Sequence, residues 1–63
     1  MLVYFTDSVT KNKLAINPSY VVGVFIANDE EHKGKTVLSL LNGSFLIDES
    51  QIDVVGILQG QIK

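Results

Sequence analysis

The 63-residue chain has no cysteine and no arginine, and it has a single histidine and a single proline. Without cysteine it forms neither a disulfide nor a thiolate metal site. Without arginine it has no guanidinium group for bidentate phosphate contacts or for stacking on bases. The sequence also lacks an apolar run of about 18 residues and the basic-then-apolar start of a signal peptide. We therefore expect a cytoplasmic protein with no membrane segment.

The composition instead shows an excess of apolar residues for so short a chain. Apolar residues make up 46% of the sequence and the formal net charge is −2. A domain of this size buries only about 60% of the surface that its unfolded chain exposes. No disulfide or metal is present to compensate, and small domains in that position commonly oligomerise. We therefore expect one domain, spanning residues 1–63, that associates with copies of itself.

Short segments rich in β-branched and aromatic residues predict strands that follow one another along the chain. Asn17-Pro18 ends the second strand, since proline lacks an amide donor. Gly23 predicts a bulge or bend inside the third strand. Asn42-Gly43 predicts a tight hairpin, because both residue types tolerate a positive φ. The five predicted strands cover residues of about 2–6, 14–17, 20–27, 36–41 and 44–47.

The hydrophobic period changes after residue 47, which predicts a helix over about residues 49–61. Asp48 has the position of an N-cap, with Gln51 at capping-box spacing. One helical face is formed by apolar residues at steps of three and four, namely Ile52, Val55, Leu58 and Ile62. A sixth strand is the alternative for this segment. The sequence thus predicts a mainly β fold, a small bent five-stranded antiparallel open barrel with a C-terminal helix.

No motif of a catalytic or metal site occurs in the sequence. There is neither a G-x-S-x-G nucleophile motif nor a glycine-rich phosphate loop. The run Asp29-Glu30-Glu31 lacks the alternating ligand spacing of a calcium loop, and His32 beside it is typical of an exposed loop residue. We therefore predict that the protein is not an enzyme and has neither a cofactor nor a bound metal.

Binding of single-stranded nucleic acid is compatible with the residues present. The negative net charge argues against strong binding to duplexes. A single strand can nevertheless be held by stacking and by hydrogen bonds to base edges. The candidates for stacking are Tyr4, Tyr20 and Phe45, and Asn17 and Asn42 are candidates for base-edge contacts. The alternative is that the aromatic residues belong to the core and the asparagines to turns.

Residues 36–47 (TVLSLLNGSFLI) resemble the second signature of the Sm-like proteins, the family of Sm, LSm and Hfq proteins. Asn42-Gly43 stands where that signature has Arg-Gly, and Asn17 matches by position a residue of the first signature. The whole chain is similar to short Sm-like proteins of cyanophage type. The chain is also similar to small flagellar proteins of the FlbD type. This second resemblance rests on residues 14–18 (LAINP), on the Leu-Asn-Gly and Asp-Glu-Ser segments and on the predicted C-terminal helix.

The Sm-like resemblance implies an SH3-type barrel whose copies join through edge strands into a ring of five to seven subunits. It also implies binding of single-stranded RNA near the pore, and a host-cytoplasmic location if the origin is a phage. The family usually has a helix before the sheet, whereas this chain has its helix at the end. The resemblance and the residue analysis together predict six RNA-binding residues: Lys11, Lys13, Asn17, Tyr20, Asn42 and Gly43.

The alternative is a structural or protein-interaction oligomer, FlbD-like or a phage accessory protein, with no nucleic-acid role. The placement of the lysines distinguishes the two hypotheses. RNA binding is favoured if Lys11, Lys13, Lys33 and Lys35 converge on one face beside the two asparagines.

Overall fold

The structure, a computed structural model, describes the backbone of residues 1–62 and the side chains of residues 1–60. The elements in chain order are β1 (Val3–Thr6), β2 (Lys13–Ile16), a 3-10 turn (Pro18–Tyr20), β3 (Val21–Ile26), β4 (Thr36–Leu40), β5 (Gly43–Ile47) and α1 (Gln51–Ile62). The predicted mainly β class, with five antiparallel strands and one C-terminal helix, is confirmed. The C-terminal segment is therefore a helix and not a sixth strand. Within residues 1–62, no helix has the length and apolar character needed to cross a membrane.

The strands form two antiparallel sheets that meet at one corner. β1 pairs with β2, while β4 lies between β3 and β5 in the second sheet. At the corner, the amide of Ser8 donates to the carbonyl of Leu46 at 2.8 Å, and the amide of Asp48 donates to the carbonyl of Thr6 at 2.9 Å. These bonds connect the ends of β1 and β5. The strands of residues 1–62 do not form a closed barrel.

The bulge predicted at Gly23 is present. The ladder between β3 and β4 shifts register between Val21 and Gly23. A Cβ atom at Gly23 would lie only 2.8 Å from the Cζ atom of the Phe25 ring. Glycine at this bend therefore leaves room for the Phe25 ring to lie against the backbone of its own strand.

The hairpin between β4 and β5 is present, but its turn is one residue earlier than predicted. Leu41 and Asn42 form the turn, and Leu40 pairs with Gly43, the first residue of β5. Gly43 has a φ of 156°, whereas Asn42 does not have a positive φ. The unusual backbone conformation falls on the glycine because a residue without Cβ adopts it at little cost.

A single apolar core lies between the sheets and the helix. Its fully buried side chains come from three strands and the helix: Phe5, Leu38, Ile47 and Val54. Val3, Ile16 and Leu58 complete the buried cluster. Each full burial of such a side chain contributes about 1.5–3 kcal/mol. The core therefore joins both sheets to α1.

The helix buries Leu58 as predicted, but its buried face is rotated away from Ile52 and toward Val54. Val54 is fully buried and Leu58 nearly so, whereas Ile52 is 83% exposed. Two residues rotate a helix by about 200°, so Ile52 and Val54 lie on nearly opposite sides. The Nε2 atom of Gln51 donates to the carbonyl of Val24 at 3.2 Å and orients the first turn toward β3. Val55 is partly buried, and the side chain of Ile62, the last member of the predicted face, lies outside the described residues.

Candidate nucleic-acid interface

Four of the six predicted RNA-binding residues line a single groove. They are Asn17, Tyr20, Asn42 and Gly43, and the groove has a volume of about 520 Å³. It lies where the 3-10 turn meets the β4–β5 hairpin. The remaining lining residues are Leu2, Ala15, Ile16, Leu40, Ser44 and Phe45.

Local backbone hydrogen bonds explain why these residues come together. The Oδ1 atom of Asn17 accepts a hydrogen bond from the amide of Ser19 at 3.0 Å and caps the 3-10 turn. The amide of Tyr20 donates to the carbonyl of Asn17 at 3.0 Å, which folds Tyr20 back beside it. The amide of Leu41 in turn donates to the carbonyl of Tyr20 at 3.0 Å. That last bond holds the β4–β5 turn, and with it Asn42, next to Tyr20.

The groove offers aromatic and amide surface without a charged side chain. Tyr20 is 54% exposed and Phe45 is 37% exposed, so both rings have accessible area. Asn42 is exposed and Asn17 is half-buried. Exposed aromatic faces stack on nucleobases, and amide groups form hydrogen bonds with base edges. The groove thus has the groups that base recognition requires.

The two asparagines also lie in turns, as the alternative interpretation predicts. Asn17 caps the 3-10 turn, and Asn42 lies in the hairpin turn. Neither role prevents a contact with a ligand, since both residues also line the groove. Among the aromatic candidates, Tyr4 is exposed and does not line this groove. Phe5 is the aromatic residue that fills the core.

Lys11 and Lys13 do not line the groove. They lie at the opposite end of the β1–β2 hairpin, because Thr6 pairs with Lys13 while Val3 pairs with Ile16 near the groove. The Nζ atom of Lys13 donates to Oγ1 of Thr6 at 3.3 Å. The structure therefore separates the two predicted lysines from the other four predicted residues.

Two of the lysines converge on a carboxylate instead of on the groove. The Nζ atom of Lys11 lies 2.8 Å from Oδ2 of Asp48, and that of Lys35 lies 3.9 Å from Oδ1 of the same carboxylate. The hydrogen bond from Lys11 lowers the pKa of Asp48 below its ordinary value. Lys33 is exposed in the β3–β4 loop. The lysine arrangement that would favour RNA binding, a cluster beside the two asparagines, is not seen in the described residues.

The loop that carries Lys11 is ordered by its own hydrogen bonds. Oδ1 of Asp7 accepts from the amides of Val9 at 2.8 Å and Thr10 at 3.0 Å. The amide of Lys11 donates to the carbonyl of Asp7 at 2.9 Å, and Lys11 has a φ of 63°. These contacts hold Lys11 toward Asp48 rather than toward the groove.

The acidic run before His32 forms a compact exposed group. The Nδ1 atom of His32 lies 2.7 Å from Oδ2 of Asp29, and this hydrogen bond lowers the pKa of Asp29. The potential ligand atoms of Asp29, Glu31 and His32 all lie within 4.8 Å of one another. The contact between Asp29 and His32 explains the proximity of these two side chains. The group lies in the β3–β4 loop, and Asp29 and His32 line a second cavity together with Ser44 and Phe45, which also line the groove.

Five lining residues were not anticipated from the sequence, namely Leu2, Ala15, Ile16, Leu40 and Ser44. Ser44 directly follows Asn42-Gly43, so its position after the turn was a signal that could have indicated it. Leu2 had no such signal, because its place depends on the register between β1 and β2. Phe45 was anticipated as a stacking residue, and it does line the groove.

No protein-family model, no curated protein and no solved structure matches this chain. The described residues form a small β-rich fold with an aromatic groove that no charged side chain lines.

Proposed function

We propose that this chain is an Sm-like, ring-forming module that binds single-stranded RNA through the groove. The observation that carries the proposal is the meeting of Asn17, Tyr20, Asn42 and Gly43 in one groove with the Phe45 ring. Small pockets that combine stacking rings with hydrogen-bonding amides are the usual means of recognising unpaired bases. No catalysis, cofactor or metal is part of this function. The proposed location is the cytoplasm, or the host cytoplasm for a phage protein.

The corner between the sheets supports the SH3-type open barrel. The hydrogen bonds between Ser8 and Leu46 and between Asp48 and Thr6 link the ends of β1 and β5, which are the edge strands where the two sheets meet. The bulge before Gly23 adds a bend to β3. A short sheet that is bent at a bulge and continued around a corner has the curvature of a small barrel.

Unburied apolar surface and free sheet edges support self-association. Within residues 1–62, β2 pairs only with β1, and β3 pairs only with β4. Large apolar side chains remain exposed on β1, β3 and α1, including Tyr4, Val22, Phe25, Ile26, Ile52 and Ile57. Pairing between copies would remove the edges and cover apolar surface, and a closed ring would leave no edge unpaired. We propose a ring of five to seven subunits.

Mass measurement tests the ring. Sedimentation at micromolar concentration is expected to give a species five to seven times the 6.9 kDa chain mass. A single species with the mass of one chain would overturn the ring.

RNA binding is tested by fluorescence polarisation with oligo-U and oligo-A. The wild type is expected to bind below about 100 μM at low salt, where electrostatic contributions are largest. Asn42→Ala should weaken binding about fivefold, as expected for the loss of about 1 kcal/mol of hydrogen bonding. Asn28→Ala is the matched control, because Asn28 is an exposed asparagine that does not line the groove. If the wild type shows no binding in this range, the RNA-binding function is wrong.

A second candidate function is a structural or protein-interaction oligomer, FlbD-like or a phage accessory protein. The charge distribution favours it, because the net charge is −2 and Asp48 already pairs with Lys11 and Lys35. A multimeric mass without RNA binding would select this function over the first.

A further inference from the structure

Asn42 differs from the other asparagines of the chain in the residue that follows it. The four asparagines Asn12, Asn17, Asn28 and Asn42 precede lysine, proline, aspartate and glycine, respectively. An asparagine side chain reacts with the next backbone nitrogen only when the two approach closely, and a Cβ atom on the following residue hinders that approach. Glycine has no Cβ atom. The pair Asn42-Gly43 therefore opposes this reaction less than the other three pairs.

The structure leaves the reacting groups of this pair accessible. Asn42 and Gly43 are both exposed. A Cβ atom at Gly43 would lie in open space among the described residues, so none of their side chains crowds this part of the turn. The bond from the Leu41 amide to the Tyr20 carbonyl anchors the first half of the turn, and Asn42 forms the second half. Water therefore has access to Asn42.

The other asparagines provide comparisons within the same chain. Asn12 and Asn28 are exposed like Asn42, but each precedes a residue with a side chain. Asn17 is half-buried, and its Oδ1 atom accepts a hydrogen bond within the 3-10 turn. The proline after Asn17 also has no amide hydrogen to release. Exposure alone therefore does not distinguish Asn42, whereas the following glycine does.

We infer that Asn42 is a site of spontaneous deamidation in the folded protein. The amide nitrogen of Gly43 loses its proton and attacks Cγ of Asn42, so a new C–N bond closes a succinimide ring. The bond from Cγ to Nδ2 breaks, and Nδ2 leaves as ammonia after taking up one proton. Water then adds to one of the two ring carbonyl carbons and opens the ring to aspartate or isoaspartate. No oxidant or reductant takes part, and water is the co-reactant.

Either product changes the charge of the groove. No charged side chain among the described residues lines the groove, and Asn42 is one of its lining residues. Deamidation places a carboxylate there and adds one negative charge to the formal net charge of −2. Isoaspartate also adds a methylene group to the main chain at the turn, which disturbs the pairing of Leu40 with Gly43. This inference goes beyond the proposed function and does not require that the groove binds RNA.

Peptide mass spectrometry of the wild type, incubated at about 37 °C in buffers of about pH 6 and about pH 8, tests the inference, since each conversion adds about 1 Da. Asn42 should convert at least about fivefold faster than Asn12 or Asn28, because the residue after it has no Cβ atom. Its rate should rise at least about tenfold between the two pH values, because the deprotonated amide is the nucleophile. Fragmentation of the converted peptide distinguishes aspartate from isoaspartate.

Two variants test the assignment to this pair of residues. Gly43→Ala adds a Cβ atom and should slow conversion at Asn42 at least about fivefold. Asn42→Gln keeps the amide group on a longer side chain and should abolish the fast conversion. Urea titrations of both variants establish that they are folded during the incubation. If either variant does not fold, the comparison of Asn42 with Asn12 and Asn28 in the wild type decides the question.

Three results would overturn the inference. The first is conversion of Asn42 at the same rate as Asn12 and Asn28, and the second is an unchanged rate at Asn42 in folded Gly43→Ala. The third is conversion of Asn42 only in urea that unfolds the chain, which would show that the hairpin protects it. RNA binding is not a readout of this experiment, so each of these results leaves the proposed function standing.

Discussion

The carboxylate of Glu49 accepts two hydrogen bonds from Thr6, one from its backbone amide at 2.8 Å and one from its hydroxyl at 3.1 Å. The two residues are 43 positions apart in the sequence. Thr6 ends β1, and Glu49 lies in the short segment between β5 and α1. One side chain therefore holds the end of the first strand to the segment that precedes the helix.

Glu49→Ala should destabilise the fold by about 1–3 kcal/mol, because the half-buried amide of Thr6 would lose its acceptor. The free energy of unfolding from urea titrations measures the effect. Glu30→Ala is the matched control, since Glu30 is exposed in the β3–β4 loop, and a surface change of this kind stays within about 0.5 kcal/mol. Equal effects of the two substitutions would show that the contact with Thr6 does not stabilise the protein.

Leu38 and Leu41 provide a matched pair for the position of the core. Leu38 is fully buried in β4, whereas Leu41 is 70% exposed in the following turn. Leu38→Ala should lower the free energy of unfolding by about 2–5 kcal/mol, and Leu41→Ala by no more than about 0.5 kcal/mol. Urea unfolding of both variants tests this, and a larger loss for Leu41→Ala would place the core elsewhere.

Gly34 and Gly56 should respond to alanine with opposite signs. A Cβ atom would meet open space at either position, but Gly34 has a φ of 87°. Gly34→Ala should destabilise by about 1–2 kcal/mol, because a left-handed conformation is costly for a residue with a side chain. Gly56→Ala lies inside α1 and should stabilise by about 0.5–1 kcal/mol. Thermal melting of the two variants gives the signs, and the same sign for both would contradict the backbone argument.

The ion pair of Asp48 makes stability depend on pH in the acidic range. The hydrogen bond from Lys11 lowers the pKa of Asp48 in the folded protein. A lowered pKa contributes stability above the ordinary value of 3.8, and that stability is lost as the pH falls through the lowered value. Lys11→Gln should therefore raise the pKa of Asp48 toward 3.8 and weaken this acid dependence.

Nuclear magnetic resonance titration of the Asp48 carboxyl carbon measures that change. Lys33→Gln serves as the comparison, since it removes the same charge from an exposed loop position. An unchanged pKa of Asp48 in Lys11→Gln would show that the contact does not persist in solution.

Part of the candidate site could be predicted from the sequence because it lies in turns. Asn17 precedes proline and Asn42 precedes glycine, and such pairs mark chain reversals regardless of what surrounds them. Tyr20 lies three residues after Asn17, at the end of the 3-10 turn. The sequence also predicts Lys11 and Lys13 as members of the site, and the pairing of β1 with β2 separates them from it. Which end of a hairpin faces which loop depends on strand pairing, and that information is not local.

The helix, too, could be predicted only in part from the sequence. The spacing of apolar residues, a local property, predicts the existence of the helix. The predicted N-cap at Asp48 is wrong, because the helix begins at Gln51 and the hydroxyl of Ser50 accepts a hydrogen bond from the amide of Asp53 at 3.2 Å.

The buried face could not be predicted, because Val54 and Ile52 are both apolar. Packing of Val54 and Leu58 into the core selects the face, and the hydrogen bond from Gln51 to the carbonyl of Val24 accompanies it.

The five strands, the C-terminal helix, the bulge near Gly23 and the absence of thiol and guanidinium groups could be predicted without the fold, since they follow from residue type and local spacing. The division of the strands into two sheets, the burial of Val54 and the contact of Lys11 with Asp48 became known from the three-dimensional structure. The same holds for the meeting of the two turns that form the groove. These features depend on contacts between residues far apart in the chain, and no local preference encodes them.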